Sequence, residues 1–231
     1  MPAPLVLLPG LMCDSRIWKS QFGALAEADP WSPHGYGDAD SITLMAQYAL
    51  NRAPRNFSLA GHSMGARVAL EVVRLAPHRV ERLALLDTGV HPPKEGEAEK
   101  RLALLKIARE EGMDAFIDQW LPPMVHPDRR GDDEFMRPLR EMILDAGVET
   151  YERQMRALLD RPETDDVISN IRVPTLIGVG REDEWSPVAQ HEEIVSRIAG
   201  ARLVIFERCG HMAPAEAPDA VNQSLQEWLS A

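Results

Sequence analysis

Cysteine is nearly missing from this chain of 231 residues: only Cys13 and Cys209 occur. Two thiols so far apart support neither a disulfide framework nor a metal site, which needs ligands at short, regular spacing. Both are read as free thiols on loops. Positive charge is also in deficit, with 25 lysines and arginines against 36 aspartates and glutamates, a formal net charge of −11. Nucleic-acid phosphates and anionic membrane surfaces would repel such a molecule, so neither is expected as a partner. No apolar run approaches the roughly 18–20 residues that a membrane-spanning helix requires. The opening segment has a short apolar run with no basic stretch before it, which argues against a secretory leader. Met12 is too bulky for Leu11-Met12-Cys13 to serve as a lipoprotein site. The expectation is a cytoplasmic protein. Internal repeats and low-complexity tracts are absent, and nothing in the composition implies a metal or a cofactor.

What is present is an alternation of apolar runs and helical patterns, which favours a parallel sheet. Strands are expected near 4–8, 57–61, 82–86, 173–180 and 202–206. A weakly patterned segment lies near Trp31, and Ser41 is placed to cap a helix bearing Ile42, Met45, Tyr48 and Ala49. The alternation stops between about His91 and Asn170. Over that stretch only helical spacing remains: Met113, Phe116, Ile117, Trp120 and Leu121 share one face, and Phe135, Met136, Leu139, Met142 and Ile143 another. Val148, Tyr151, Met155 and Leu158 roughly keep a third. This organisation predicts an α/β core from residues 1–91 and 171–231, with 92–170 inserted as a helical cap. The charge-rich Lys94–Lys100 stretch reads as the cap's hinge or as a solvated helix start.

The sharpest local signal is Gly61-His62-Ser63-Met64-Gly65, set between an apolar run and a helical pattern. A strand that turns sharply into a helix can hold a serine at its apex, provided small neighbours let the backbone pass close to itself. A serine hydroxyl is a weak nucleophile until a base takes its proton. Two further loops after strands supply the chemistry. Arg181-Glu182-Asp183-Glu184 follows the apolar run ending at Gly180, and Asp183 is the preferred acid. Glu182 and Glu184 are expected to face solvent, and Asp87, also just past a strand, is the substitute. Glu207-Arg208-Cys209-Gly210-His211 follows the last strand and offers His211 as base. Carboxylate, serine and histidine then all lie at the strands' C-terminal edge.

On these pieces, together with Leu5-Val6-Leu7-Leu8-Pro9-Gly10-Leu11, the chain resembles the α/β-hydrolases of the small, capped serine-esterase type. The resemblance implies a mostly parallel sheet of about six strands, the leading antiparallel strands of the family being absent. It also implies a Ser63–His211–Asp183 triad and an oxyanion hole made by the backbone amides of Leu11 and Met64. Pro9-Gly10 replaces the family's frequent His-Gly, which keeps the backbone and loses a polar neighbour. Hydrolysis of a carboxylic ester is the expected activity. Thioester, lactone or carbon–carbon hydrolysis, acyl transfer and cofactor-free perhydrolysis share the same parts, and a ligand receptor retaining the fold is the alternative of another class. A serine at the elbow excludes the branches that use an aspartate there. Met12, Trp120, Trp185 and Met212 are the expected pocket residues. Methionines beside the site and in the insert suit an adaptable apolar pocket. Arg16, Arg67 and Arg208 are read as scattered and pointing away, so the expected partner is a small, uncharged, apolar ester.

Overall fold

A strand buried on both faces must be apolar throughout, because helices cover a parallel sheet above and below. Leu5–Leu8 (β1), Phe57–His62 (β2) and Thr175–Gly180 (β4) are predominantly apolar and buried at every residue, while Val80–Leu86 (β3) carries exposed Glu81 and half-buried Arg82 before its buried run 83–86. Arg202–Phe206 (β5) is half-buried, as an edge strand can be. The computed structural model describes residues 3–231, so Met1 and Pro2 of the expected core lie outside the described residues. The five strands run in the order β1-β2-β3-β4-β5, all parallel.

The sheet has five strands where about six were expected. The weakly patterned Trp31 segment adds only a single parallel bridge with Val6. The Leu7 amide donates to Trp31 O and the Trp31 amide to Leu5 O, each at 2.8 Å. Pro30 and Pro33 flank Trp31 and have no amide to extend the ladder. The bridge nevertheless covers part of the β1 edge.

Between the strands run the helices α1 (Lys19–Ala24), α2 (Ile42–Leu50) and α3 (Met64–Leu75). Ser41 caps α2 by accepting the Leu44 amide, as its position predicted. From β3 to β4 the described residues contain helices and turns and no strand. These helices are α4 (Glu97–Glu110), α5 (Met113–Trp120), α6 (Asp133–Leu159) and α7 (Asp165–Asn170). Gly96, just before α4, has φ 75°, so the Lys94–Lys100 stretch contains the helix start. Gly147 bends α6 with φ 73° and ψ 170°, a region open only to glycine. Phe116 lies between Trp120 and Tyr151, with ring centroids 5.8 and 4.6 Å away, giving the insert an aromatic core. The chain ends with α8 (Val188–Arg197), α9 (Ala213–Glu216) and α10 (Pro218–Ser230). No helix among the described residues is long and apolar enough to cross a membrane.

Candidate active site

Because the strands are parallel, the loops after Leu8, His62, Leu86, Gly180 and Phe206 all open at one edge. Ser63 sits between β2 and α3 with φ 54° and ψ −118°, a conformation that side-chain-bearing residues rarely adopt. Holding it there costs about 1–3 kcal/mol, which the surroundings must offset. The glycines make the turn possible. A Cβ on Gly65 would lie 2.2 Å from Leu8 O, and one on Gly61 would lie 2.4 Å from Gly65 O. The end of β3 holds the elbow from the other side: the Ser63 amide donates to Leu86 O at 2.8 Å, and Thr88 Oγ1 donates to Ser63 O at 3.1 Å. Buried His191 accepts the Thr88 amide through Nε2 at 2.8 Å and donates from Nδ1 to Pro187 O. Burial lowers its pKa to about 4 and keeps it neutral for that double task.

Ser63, His211 and Asp183 come together. Ser63 Oγ is 2.7 Å from His211 Nε2, and His211 Nδ1 is 2.8 Å from Asp183 Oδ2. Asp183 Oδ1 accepts the amides of Trp185 and Ser186, both at 2.9 Å. Burial alone would raise the Asp183 pKa. The opposing charge and hydrogen bond of His211, with the Ser186 amide, leave it below the ordinary value. An ionised Asp183 only accepts, so His211 carries its proton on Nδ1 and leaves Nε2 free to take the serine's proton.

The backbone around His211 is clamped by groups that the sequence does not advertise. Buried Glu216 accepts the Gly210 and Met212 amides, both at 3.1 Å, and the His126 amide at 2.8 Å. The His211 amide donates to Met124 O at 2.7 Å. His62 Nε2 lies 2.7 Å from His211 O and must be the donor, since a carbonyl only accepts. Burial, helped by the charge of His211, lowers the His62 pKa to about 3, so it stays neutral.

Asp87 does not contact His211. Its carboxylate accepts the Gly180 amide at 2.9 Å and the Ala213 amide at 3.2 Å, tying the end of β4 to the start of α9. Burial, reinforced by the charge of Asp183, pushes its pKa well above the usual carboxylate range. Glu182 does not simply face solvent: it accepts the Cys209 amide at 2.9 Å. Glu184 is exposed. Cys13 and Cys209 are buried free thiols, and burial raises both pKa values, that of Cys13 to about 12.

A cavity of about 490 Å³ opens over Ser63. Leu11, Met64, Trp120, Trp185 and Met212 line it, as their positions suggested. Met12 does not. It is fully buried with φ 59°, and its amide donates to Gln154 Oε1 of α6 at 2.8 Å. Met64 is the first residue of α3, so no carbonyl of that helix can reach its amide.

The arginines also depart from expectation. Arg16 pairs with Asp14 and Asp145, and Arg208 is exposed beside Asp128. Arg67 does not point away: it is 9 % exposed and lines the Ser63 cavity with Arg101 and Arg161. The premise for an uncharged substrate therefore fails. The available signal was its position in the first turn of α3, the helix that begins directly after Ser63. Gln154 had a weaker signal, a polar residue within the Tyr151, Met155 and Leu158 stripe.

Residues 5–224 match the family described as "Alpha/beta hydrolase family". The chain belongs to the alpha/beta hydrolase family. Among similar proteins, the (E)-2-((N-methylformamido)methylene)succinate hydrolase of Acinetobacter baylyi is 24% identical, aligned over 98% of this chain and 90% of its own. The pimeloyl-[acyl-carrier protein] methyl ester esterase of Nitrosomonas europaea is 25% identical, over 90% and 88%. The structure of a thermophilic esterase from Thermogutta terrifontis, with malate bound, superposes on this alpha/beta hydrolase with a TM-score of 0.88. That pair is 27% identical, covering 99% of this chain and 89% of the other.

Proposed function

We propose that this alpha/beta hydrolase cleaves a carboxylic ester through an acyl-enzyme formed on Ser63. The observation that carries the reading is the unbroken relay from Ser63 Oγ through His211 to the buried Asp183. Ser63 attacks the carbonyl carbon as His211 Nε2 takes its proton. The carbonyl oxygen becomes an oxyanion, which in this reading the amides of Leu11 and Met64 receive. Losing one such donor typically costs about 2.7–4 kcal/mol of barrier. The tetrahedral intermediate collapses, and His211 returns the proton to the leaving alcohol. Water, deprotonated by the same imidazole, then releases the acid and restores Ser63. Asp183 keeps the imidazole in the right tautomer and stabilises its charged form.

Helices α4 to α7, within residues 92–170, act in this reading as a cap. Tyr151, Trp120 and Leu104 face the cavity from that side, and Met124 holds the His211 loop. The methyl ester esterase and the thermophilic esterase among the similar proteins support an ester as a substrate of this site.

The test is steady-state turnover of nitrophenyl and methyl esters of graded acyl length by wild type and Ser63→Ala. Many turnovers, reduced by at least about 10⁴-fold in the variant, are expected. A single slow turnover, or equal rates in both proteins, would defeat the proposal and favour a ligand receptor with the hydrolase fold.

A further inference from the structure

Arg67 has the surroundings of a group awaiting an anion. The residue is nine-tenths buried in the cavity wall, yet among the described residues it makes one hydrogen bond, from Nη2 to His91 O at 2.9 Å. Arg161 Nε shares that carbonyl at 3.1 Å. The nearby carboxylate is already committed. Glu97 accepts Arg161 through Nη1 at 2.7 Å and Nη2 at 2.8 Å, two nitrogens of Arg101, and the Lys94 amide. Two guanidinium groups thus share the Glu97 carboxylate, and among the described residues Arg67 has no ion-pair partner. Lys94, Lys100 and His91 line the same cavity, with Glu95 and Glu184 among the remaining acids. Burying a charge without a counter-charge is costly, and a planar guanidinium with free N–H groups matches a carboxylate bidentately.

Position makes the match useful. Arg67 lies four residues beyond Ser63, one turn along α3, and helical side chains lean back toward the N-terminus. From Met64, the first helical residue, Arg67 rises only about 4.5 Å along the axis, which keeps a group on Arg67 within a few bonds of a carbonyl at Ser63.

We infer that the substrate carries a free carboxylate, a few bonds from the scissile carbonyl, which docks on Arg67 in the Ser63 cavity. This deepens the ester-hydrolase reading and rests on it. The substrate class is a half-ester of a short dicarboxylic acid or an acylated short hydroxy acid. Arg161 and Arg101, neutralised in part by Glu97, add to the field without being free to bind.

The experiment measures kcat/KM at low salt for monomethyl glutarate against methyl valerate, and for acetoxyacetate against ethyl acetate. Wild type, Arg67→Met, Arg67→Lys and Arg202→Met are compared. Arg202 is an exposed arginine on β5 that pairs with Glu227 and serves as the charge-matched control. At least one anionic ester should be preferred by wild type and by Arg202→Met, mainly through KM, and the preference should weaken with salt. In Arg67→Met the ratio of anionic to neutral kcat/KM should fall about 10- to 100-fold, while Arg67→Lys retains part of it. Calorimetry of glutarate and glycolate with Ser63→Ala should show binding of at least one, lost in Ser63→Ala/Arg67→Met. Should the Met variant not fold, the Lys variant and the wild-type salt dependence still decide. No anionic preference by wild type, or a ratio unmoved by either Arg67 substitution, would overturn the inference while leaving ester hydrolysis standing. Failure of Ser63 to turn over any of the four esters would instead strike the hydrolase reading itself.

Discussion

Ser63, Asp87, Met12 and Arg208 are four of the five non-glycine residues held at positive φ among the described residues, and all lie in loops at the catalytic edge. The fold thus concentrates backbone strain around the Ser63 cavity. Two aspartates at this edge have opposite tasks. Asp183 is paired and ionised, whereas Asp87 braces two backbone amides and is held toward its neutral form. Asp183→Asn should fold normally but lose about 10⁴-fold in kcat, because the amide favours the wrong imidazole tautomer. Asp87→Asn should instead cost about 1–3 kcal/mol of stability, since its NH₂ meets an amide donor, and keep kcat within about tenfold. The pH sign follows from the raised pKa. Above about pH 4 the unfolded Asp87 has released a proton that the folded one still holds, so its contribution falls as pH rises through that window. Asparagine does not titrate, and the cost of Asp87→Asn should therefore shrink with rising pH. Denaturant unfolding at several pH values, alongside kinetics, checks all of this. Collapse of kcat in Asp87→Asn with near-normal Asp183→Asn would exchange the two roles.

At the level of elements, α6 connects the insert to the catalytic edge. Its bend at Gly147 separates the stretch bearing Met136, Leu139 and Met142 from the one bearing Tyr151 and Gln154. Gln154 then reaches the loop after β1 and accepts the Met12 amide, beside the Leu11 amide that the mechanism needs. Gln154→Leu leaves that buried donor unsatisfied, at a cost of about 1–3 kcal/mol in stability. It also loosens the oxyanion loop. The expected kinetic signature is a fall in kcat of tenfold or more with little change in KM, rescued by Gln154→Glu, which keeps an acceptor. A Leu variant altered in stability alone would reduce Gln154 to a packing role.

Across the whole molecule, the sequence showed best what is local and continuous. The five strands, the elbow and the loops of Asp183 and His211 are each contained within a dozen residues, and their apolar runs or glycines follow from local geometry. The sheet count was harder, because Trp31 is held beside β1 only through two hydrogen bonds to a strand over twenty positions earlier. The supports of His211 were illegible for a related reason. Glu216, His62 and Met124 act through main-chain contacts, and no residue type announces a bond to a distant amide. Arg67 was misread because an arginine on a helix is ordinarily solvated. It is instead buried in the wall of the Ser63 cavity, and the nearby Glu97 carboxylate is committed to Arg161 and Arg101.

In the proposed mechanism His211 makes Ser63 a nucleophile. The most direct measurement is the rate and site of labelling by one equivalent of a nitrophenyl alkylphosphonate, followed by nitrophenolate release and peptide mass mapping. One phosphonyl group is expected on the peptide containing Ser63, formed at least about 10²-fold faster in wild type than in His211→Gln, consistent with the usual contribution of a positioned base. A label on another residue, or equal Ser63 labelling rates in the two proteins, would contradict it.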